Sequence, residues 1–357
     1  MVETAMQAGQ GTTLEALLGV QHAPSRAAIR RLYGVSVRTV EELLGLIVAD
    51  PAATQAFLGP EVDLAGLQAD AYEVTEPLVM ASVEQGRERQ IAFGALKPDD
   101  VEVEPAALSQ TIDAALASPE TDPEQPDITV VRDFRDRYDR VRDQGDRGTC
   151  VAFACCAALE SARTRPPDAP LDFSEQHLYW AAKQIDGRPD REGTFIHAAM
   201  QVLLDRGVVA EALWPYNPVV VPGNVSQGPP PKGVEDAACE RTSDRSPVPK
   251  RNAAAMRAVL DEGLVVALFI PLYQSNSNPA LHTLGRIQLP LPGSALVNGH
   301  ALCAVGYVLS GDAGGGAFIV RNSWGDGWGP RSRFGPGHAL LPFAYIDQYG
   351  WEAFYCR

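Results

Sequence analysis

Two hydrophobic periods divide this chain. Up to about residue 60, apolar positions recur every three to four residues in short runs separated by Gly, Pro and Asp. The runs "TTLEALLG", "SRAAIRRLYG", "VRTVEELLGLIVAD" and "PAATQAFLG" therefore read as short helices, the last with Pro51 in its first turn and Gly59 at its stop. "AYEVTEPLVMASVEQGRERQIAFGAL" mixes alternation with turn residues and reads as a couple of strands. The helical period returns at residues 150–163, at "SEQHLYWAAKQ" from Ser174, at Thr194 to Gly207 and at "NAAAMRAVLDEG". Continuous apolar runs then take over: "LVVALFI", "HALCAVGYVL" and "GAFIVRN" read as buried strands. Helices first and strands later predicts an α+β domain with a helical side and a sheet side.

Residues 117–127, "ASPETDPEQPD", read as a linker. The expected organisation is an acidic, mostly helical segment at 1–116 and a second domain at 128–357. Two domains suit 357 residues. Residues 217–250 are Pro- and Ser-rich without periodicity and read as a long surface loop.

Charge narrows the function. The net charge is −15, and the first 120 residues hold 18 Asp/Glu against 7 Lys/Arg. A clustered basic surface for a phosphate backbone is missing, which argues against nucleic-acid binding. "LYGVSVRTVEELLGLI" has the look of half a helix-hairpin-helix, but its acidic surroundings favour a partner-binding helical module. The six cysteines form no C-x-x-C pair, so no metal site is expected, and reduced thiols in a cytoplasmic setting are. The N-terminus makes a poor signal peptide, and no apolar run approaches the ~20 residues that span a bilayer.

Chemistry gathers at three places. Cys150 heads the run "CVAFACCAALES" after a Gly148–Thr149 bend, where helix N–H groups and the helix dipole favour a thiolate. Cys155 and Cys156 lie inside the same helix and lack that advantage. Of the six histidines, His300 stands at the mouth of an apolar strand, and Asn322 ends the next one. Neighbouring strands joined by "SGDAGGG" can present His300 and Asn322 side by side, with Trp324 shielding their hydrogen bond. A thiolate, an imidazole and a group that orients it are the parts of a cysteine hydrolase. His177 and His197 read as helix residues, and His22, His282 and His338 as solvated loop residues.

With those residues in view, positions 128–357 resemble the papain family of cysteine peptidases. The resemblance rests on Gln144-Gly145-Asp146-Arg147-Gly148-Thr149-Cys150, on "HALCAVGY", on "NSWGDGWG", on "LDFSEQHLYW" and on "EGTFIHAAMQVLLDRGVVAEALWPY". It implies a papain-like fold of two subdomains, one helical and one an antiparallel β-sheet or barrel. It also implies roles: Cys150 as nucleophile, His300 as its ion-pair partner, Asn322 as the orienting group, and Gln144 in the oxyanion hole beside the Cys150 N–H. Gly193, Thr194, Trp324 and Gly299 would line the substrate cleft. Papain's own cysteine, with a pKa of about 3–4, is the established example of such a pair. No cofactor is implied, and the partner is a peptide or protein substrate.

Departures from the family pattern are specific. Arg147 stands where secreted members keep a disulfide cysteine, Val151 replaces a tryptophan, and "EGT" (192–194) replaces a double glycine. Gly299 is an additional glycine before His300. The resulting expectation is an intracellular, bacterial cysteine endopeptidase with an N-terminal accessory domain. A propeptide is the second reading of that segment. A peptide ligase using the same acyl-enzyme and a non-catalytic binding module are the alternative functions. The 276–299 loop is expected to overhang the cleft.

Overall fold

A computed structural model describes residues 11–87, 92–99, 128–164, 169–234, 236–237, 239–242, 244–311 and 314–357. The linker expected at 117–127 lies outside the described residues.

The N-terminal segment is helical throughout. A 3₁₀ turn at Leu14–Gly19 precedes α1 (Arg26–Gly34), α2 (Val40–Ala49), α3 (Pro51–Leu58), α4 (Leu64–Val74) and α5 (Pro77–Arg87). Side chains close most of the N-termini: Ser25 caps α1, Asp50 caps α3 and Asp63 caps α4, while Thr39 and Glu42 form a capping box on α2. Among the described residues of the 71–96 stretch, expected to hold a couple of strands, most of 71–87 is helical, in α4 and α5, and residues 92–96 hold only an isolated parallel bridge from Ala95 to Thr194. Pro77, which reads as a turn signal, occupies the first helical position of α5, where its missing N–H costs nothing.

Beyond residue 127 the elements are β1 (Ile128–Asp133), α6 (Cys150–Arg163), α7 (Glu175–Lys183), α8 (Ile196–Asp205), β2 (Arg245–Val248), α9 (Ala253–Asp261), β3 (Val266–Tyr273), α10 (Pro279–Leu284), β4 (Leu296–Ser310), β5 (Gly316–Arg321), β6 (His338–Pro342), α11 (Phe343–Tyr349) and β7 (Glu352–Cys356). The strands make one antiparallel sheet in the order β2-β7-β3-β4-β5-β6, with β1 also paired to β4. The short β2 lies inside the stretch read as loop. Its pairing with β7 is tertiary, which local periodicity does not encode.

The apolar strands are explained by burial on both faces. In β3, Val266, Leu268 and Ile270 face one core while Ala267 and Phe269 face another. In β4, Leu302 and Ala304 join the first core and Ala301, Cys303 and Val305 the second. Strand alternation thus fills two cores from one run of residues. The second core lies under α6, α7 and α8, and α6 is buried from Cys150 to Ser161.

The first core is shared with the N-terminal helices, whose Leu14, Leu32, Leu43, Leu46 and Phe57 belong to it. Helix α2 is buried from Val40 to Ile47, Glu41 and Glu42 included, and a helix buried all round needs cover on every side. The 274–294 segment supplies part of that cover. Asn278 Nδ2 donates to the Glu42 carbonyl at 2.9 Å, Arg286 pairs with the buried Glu42 carboxylate at 2.7 Å, and Ser294 donates to Asp50 at 2.7 Å.

Candidate active site

Cys150 is the first residue of α6. The preceding Thr149 does not cap the helix with its side chain; its hydroxyl is shared with Tyr216 at 2.6 Å. The Ala152 N–H is taken by the Thr149 carbonyl at 2.9 Å, and the N–H groups of Cys150 and Val151 favour the Cys150 thiolate. Cys155 and Cys156 sit one turn and more along the helix, inside the second core.

His300 lies in β4 opposite Ile270, and Asn322 follows β5. Their side chains meet, with His300 Nε2 and Asn322 Oδ1 2.7 Å apart. The Ser323 N–H donates to that same Asn322 oxygen at 2.8 Å, which fixes the orientation of the amide. An oxygen only accepts, so the neutral imidazole carries its hydrogen on Nε2. Nδ1 keeps the lone pair that can take a proton from a thiol, and it has no hydrogen-bond partner. Trp324 stacks on the imidazole at a centroid distance of 4.3 Å, covering the pair from solvent. Behind it Trp328 makes an edge contact, held by a 2.8 Å bond from its Nε1 to His282 Nδ1.

Gln144 approaches from the other side. Its Oε1 accepts from the Ser323 hydroxyl at 2.6 Å, and its Nε2 donates to the Arg147 carbonyl at 2.7 Å. The amide is thereby oriented, with Nε2 also donating to a further oxygen, the carbonyl of Ala92 at 3.1 Å.

That contact reveals a feature with no signal in the sequence. Residues 92–96 run through the cleft as a strap. Phe93 sets its ring edgewise against His300 and Trp324. Gly94 accepts from the Thr194 N–H at 2.9 Å, and the Leu96 N–H donates to the Thr194 carbonyl at 3.0 Å. Leu96 then enters an apolar contact with Phe195 and Ala198. Gly193 and Thr194 are thus brought to the strap by backbone, while Gly299 faces it from β4. A Cβ on Gly299 would stand 2.3 Å from the Phe269 ring and 2.7 Å from the Ala95 carbonyl oxygen, so only glycine fits there.

Burial changes the electrostatics expected for the pair. Burial pushes the Cys150 thiol up to about 11, although backbone groups of Ala301 and Gly94 favour its thiolate. Burial likewise pulls His300 down to about 4 against the opposing bond to Asn322. In place of a thiolate and an imidazolium, the covered site holds a thiol and a neutral imidazole, because desolvation penalises both charges.

Other histidines also depart from the sequence reading. His22 stays in a turn but is engaged by Asp70 at 3.1 Å, whereas His282 lies in α10 and accepts from Trp328, and His338 is buried in β6. Of the 276–299 stretch, expected to overhang the cleft, Asn278, Arg286 and Ser294 make the hydrogen bonds and ion pair to the N-terminal helices described above, and residues 296–299 begin β4. Among the described residues no group of three or more His, Cys, Asp or Glu side chains could hold a metal ion.

Residues 126–334 match the family described as "Papain family cysteine protease". The chain belongs to the papain family. It is 29% identical over 203 residues to "Cysteine proteinase 2" of Entamoeba histolytica, covering 54% of this chain and 57% of the relative. It is 30% identical over 191 residues to "Cathepsin J" of Mus musculus, covering 53% and 54%. The chain thus spans little more than half the length of these relatives. The crystal structure of xylellain, a cysteine protease from Xylella fastidiosa, shares the fold: the TM-score is 0.57 at 23% identity, covering 74% of this chain and 96% of that one. The α+β architecture, with helices on one side and an antiparallel sheet on the other, is that of the papain family.

Proposed function

We propose that this chain hydrolyses internal peptide bonds through Cys150, His300 and Asn322, with Gln144 assisting at the oxyanion. The observation that carries the proposal is the 2.7 Å His300–Asn322 bond beneath Trp324. It sets the tautomer that turns a basic nitrogen toward proton transfer from Cys150 at the head of α6. Cys150 attacks the carbonyl carbon, His300 takes the thiol proton and returns it to the leaving amine, and water then releases the acyl group. The Gln144 amide receives the developing oxyanion together with the Cys150 N–H. The Ala92 carbonyl, accepting from Gln144 Nε2, stands in for a carbonyl oxygen at that position. Six free cysteines support a reducing, cytoplasmic location.

The strap supports a second element of the reading: as described, the chain is latent. Residues 92–96 occupy the backbone groups of Thr194 and the amide of Gln144 that a substrate would need. The N-terminal segment is in this view a propeptide-like inhibitor as well as a folded unit. The test is hydrolysis of a peptide library by the full-length chain and by Cys150→Ala, before and after cleavage of the strap. Products that depend on Cys150 and rise on strap cleavage support both elements. Products absent in every form would sink the hydrolase reading.

A further inference from the structure

Lys183 and Asp186 form an ion pair of 2.7 Å whose side chains are shut away from solvent. A buried ion pair adds little stability over apolar side chains of the same volume, so its presence points to a geometric task. That task is visible in the partners. The remaining Lys183 donors reach the Arg191 carbonyl at 2.8 Å and the Gly193 carbonyl at 2.9 Å. Asp186 Oδ2 accepts from the Thr194 hydroxyl at 2.9 Å, and Asp186 Oδ1 accepts from the Arg188 N–H at 2.8 Å. The Gly193 N–H is taken by the Tyr179 hydroxyl at 3.1 Å. Glu192, between them, accepts the Gly148 N–H at 3.0 Å, two residues before Cys150.

We infer that Lys183, Asp186 and Glu192 are positioning residues: a non-covalent brace that fixes the peptide-binding backbone of Thr194 relative to Cys150. This rests on the hydrolase reading above. The bonds end on the two residues flanking and including the backbone groups that the strap uses, the N–H and carbonyl of Thr194. They connect those groups to α7 through Lys183 and to the approach of α6 through Glu192. The brace also accounts for a departure noted in the sequence. Arg147 stands where secreted relatives keep a disulfide cysteine, and all six cysteines here are free. Arg147 is itself buried, bonded to Gln176 at 2.6 Å and to the Asn217 carbonyl at 2.8 Å. Fixed charges and directed hydrogen bonds hold this edge of the cleft together in reducing conditions.

The test uses full-length chains carrying Lys183→Met or Asp186→Asn, each also combined with Gly94→Leu to open the cleft. Hydrogen exchange at residues 191–196 should rise at least about tenfold in the single variants while exchange in α6 stays unchanged. In the opened chains KM for a peptide should rise roughly 10- to 100-fold with kcat changed far less, since binding geometry rather than chemistry is lost. The alkylation rate of Cys150 by iodoacetamide, which needs no peptide-binding backbone, should match that of the opened parent. An unchanged KM, or a loss confined to kcat and alkylation, would overturn the inference. If a single variant fails to fold, Lys183→Met with Asp186→Asn removes both charges together and answers the same question. Should the opened parent hydrolyse no peptide, the hydrolase reading fails, and the exchange measurement still decides whether the brace holds residues 191–196.

Discussion

Gly94 of the strap lies directly on Gly148: a Cβ built on Gly94 would stand 1.9 Å from the Gly148 carbonyl oxygen, two residues before Cys150. Backbone is packed on backbone there, and neither side can give way cheaply. Gly94→Leu is therefore expected to lift the strap from the cleft. Hydrolysis of a peptide by the intact chain should rise by about 10-fold or more, as an occupied binding-competent state is released. Steady-state rates for the two intact chains check this, and equal rates would show that the strap does not inhibit.

The covered pair also makes latency depend on pH. His300 titrates at about 4 when covered, against an ordinary value of 6.5. A depressed value stabilises the covered state above pH 6.5, and that stability is lost as pH falls toward 4. The loss amounts to about 3 kcal/mol for one group. Cys150 acts oppositely, since its value raised from 9.0 to about 11 favours the covered state until the pH climbs through that range. Strap exchange measured from pH 7 to pH 4 should accelerate as the pH falls. His300→Ala should flatten that dependence. A profile that is flat in the parent chain contradicts the assignment.

Asn322 sets the imidazole tautomer, so Asn322→Ala is expected to reduce kcat by ~10²-fold or more with little change in KM. Gln144→Ala should cost about 10²–10³ in kcat, the price of one oxyanion donor when the backbone donor remains. Because Gln144 also holds Ala92, the same variant should exchange its strap amides faster in the intact chain. Kinetics after strap cleavage and exchange before it separate the two effects.

Glu42 is fully buried and paired with Arg286, whose segment packs against α2. Removing one partner strands the other charge, so Arg286→Met is expected to destabilise the chain by ~3–5 kcal/mol. Denaturant unfolding should show a lower midpoint. The N-terminal helices and the sheet share one core, so the loss should appear in a single transition. Two separated transitions would contradict the shared core.

Much of this was legible in the sequence wherever local chemistry decides the outcome. Cys150 at a helix head, His300 and Asn322 on neighbouring strands and Trp324 beside them follow from short motifs and strand order. The structure puts the side chains of His300, Asn322 and Trp324 within reach of one another. Ala92 to Leu96 gave no signal, because their partners Gln144, Thr194 and Phe195 lie some 50 to 100 residues away. The brace was hidden for another reason. Lys183 and Asp186 look like ordinary surface charges in a helix end, and only tertiary burial shows otherwise. Pro77 misled because a helix start and a turn share the same residue. His282 and His338 misled because the Pro- and Gly-rich stretches around them read as loops, whereas His282 lies in α10 and His338 opens β6.

The sheet whose alternate residues feed both cores has a consequence for how this chain can change over time. A substitution at Leu302 or Ile270 is felt by the N-terminal helices, and one at Ala301 or Phe269 by α6, yet all four lie within a few residues of His300. The N-terminal helices and the sheet are therefore not interchangeable cassettes: a foreign N-terminal segment grafted onto this sheet would meet a core shaped for Leu43 and Leu46. The two parts must vary together, residue against residue, for either to keep its form.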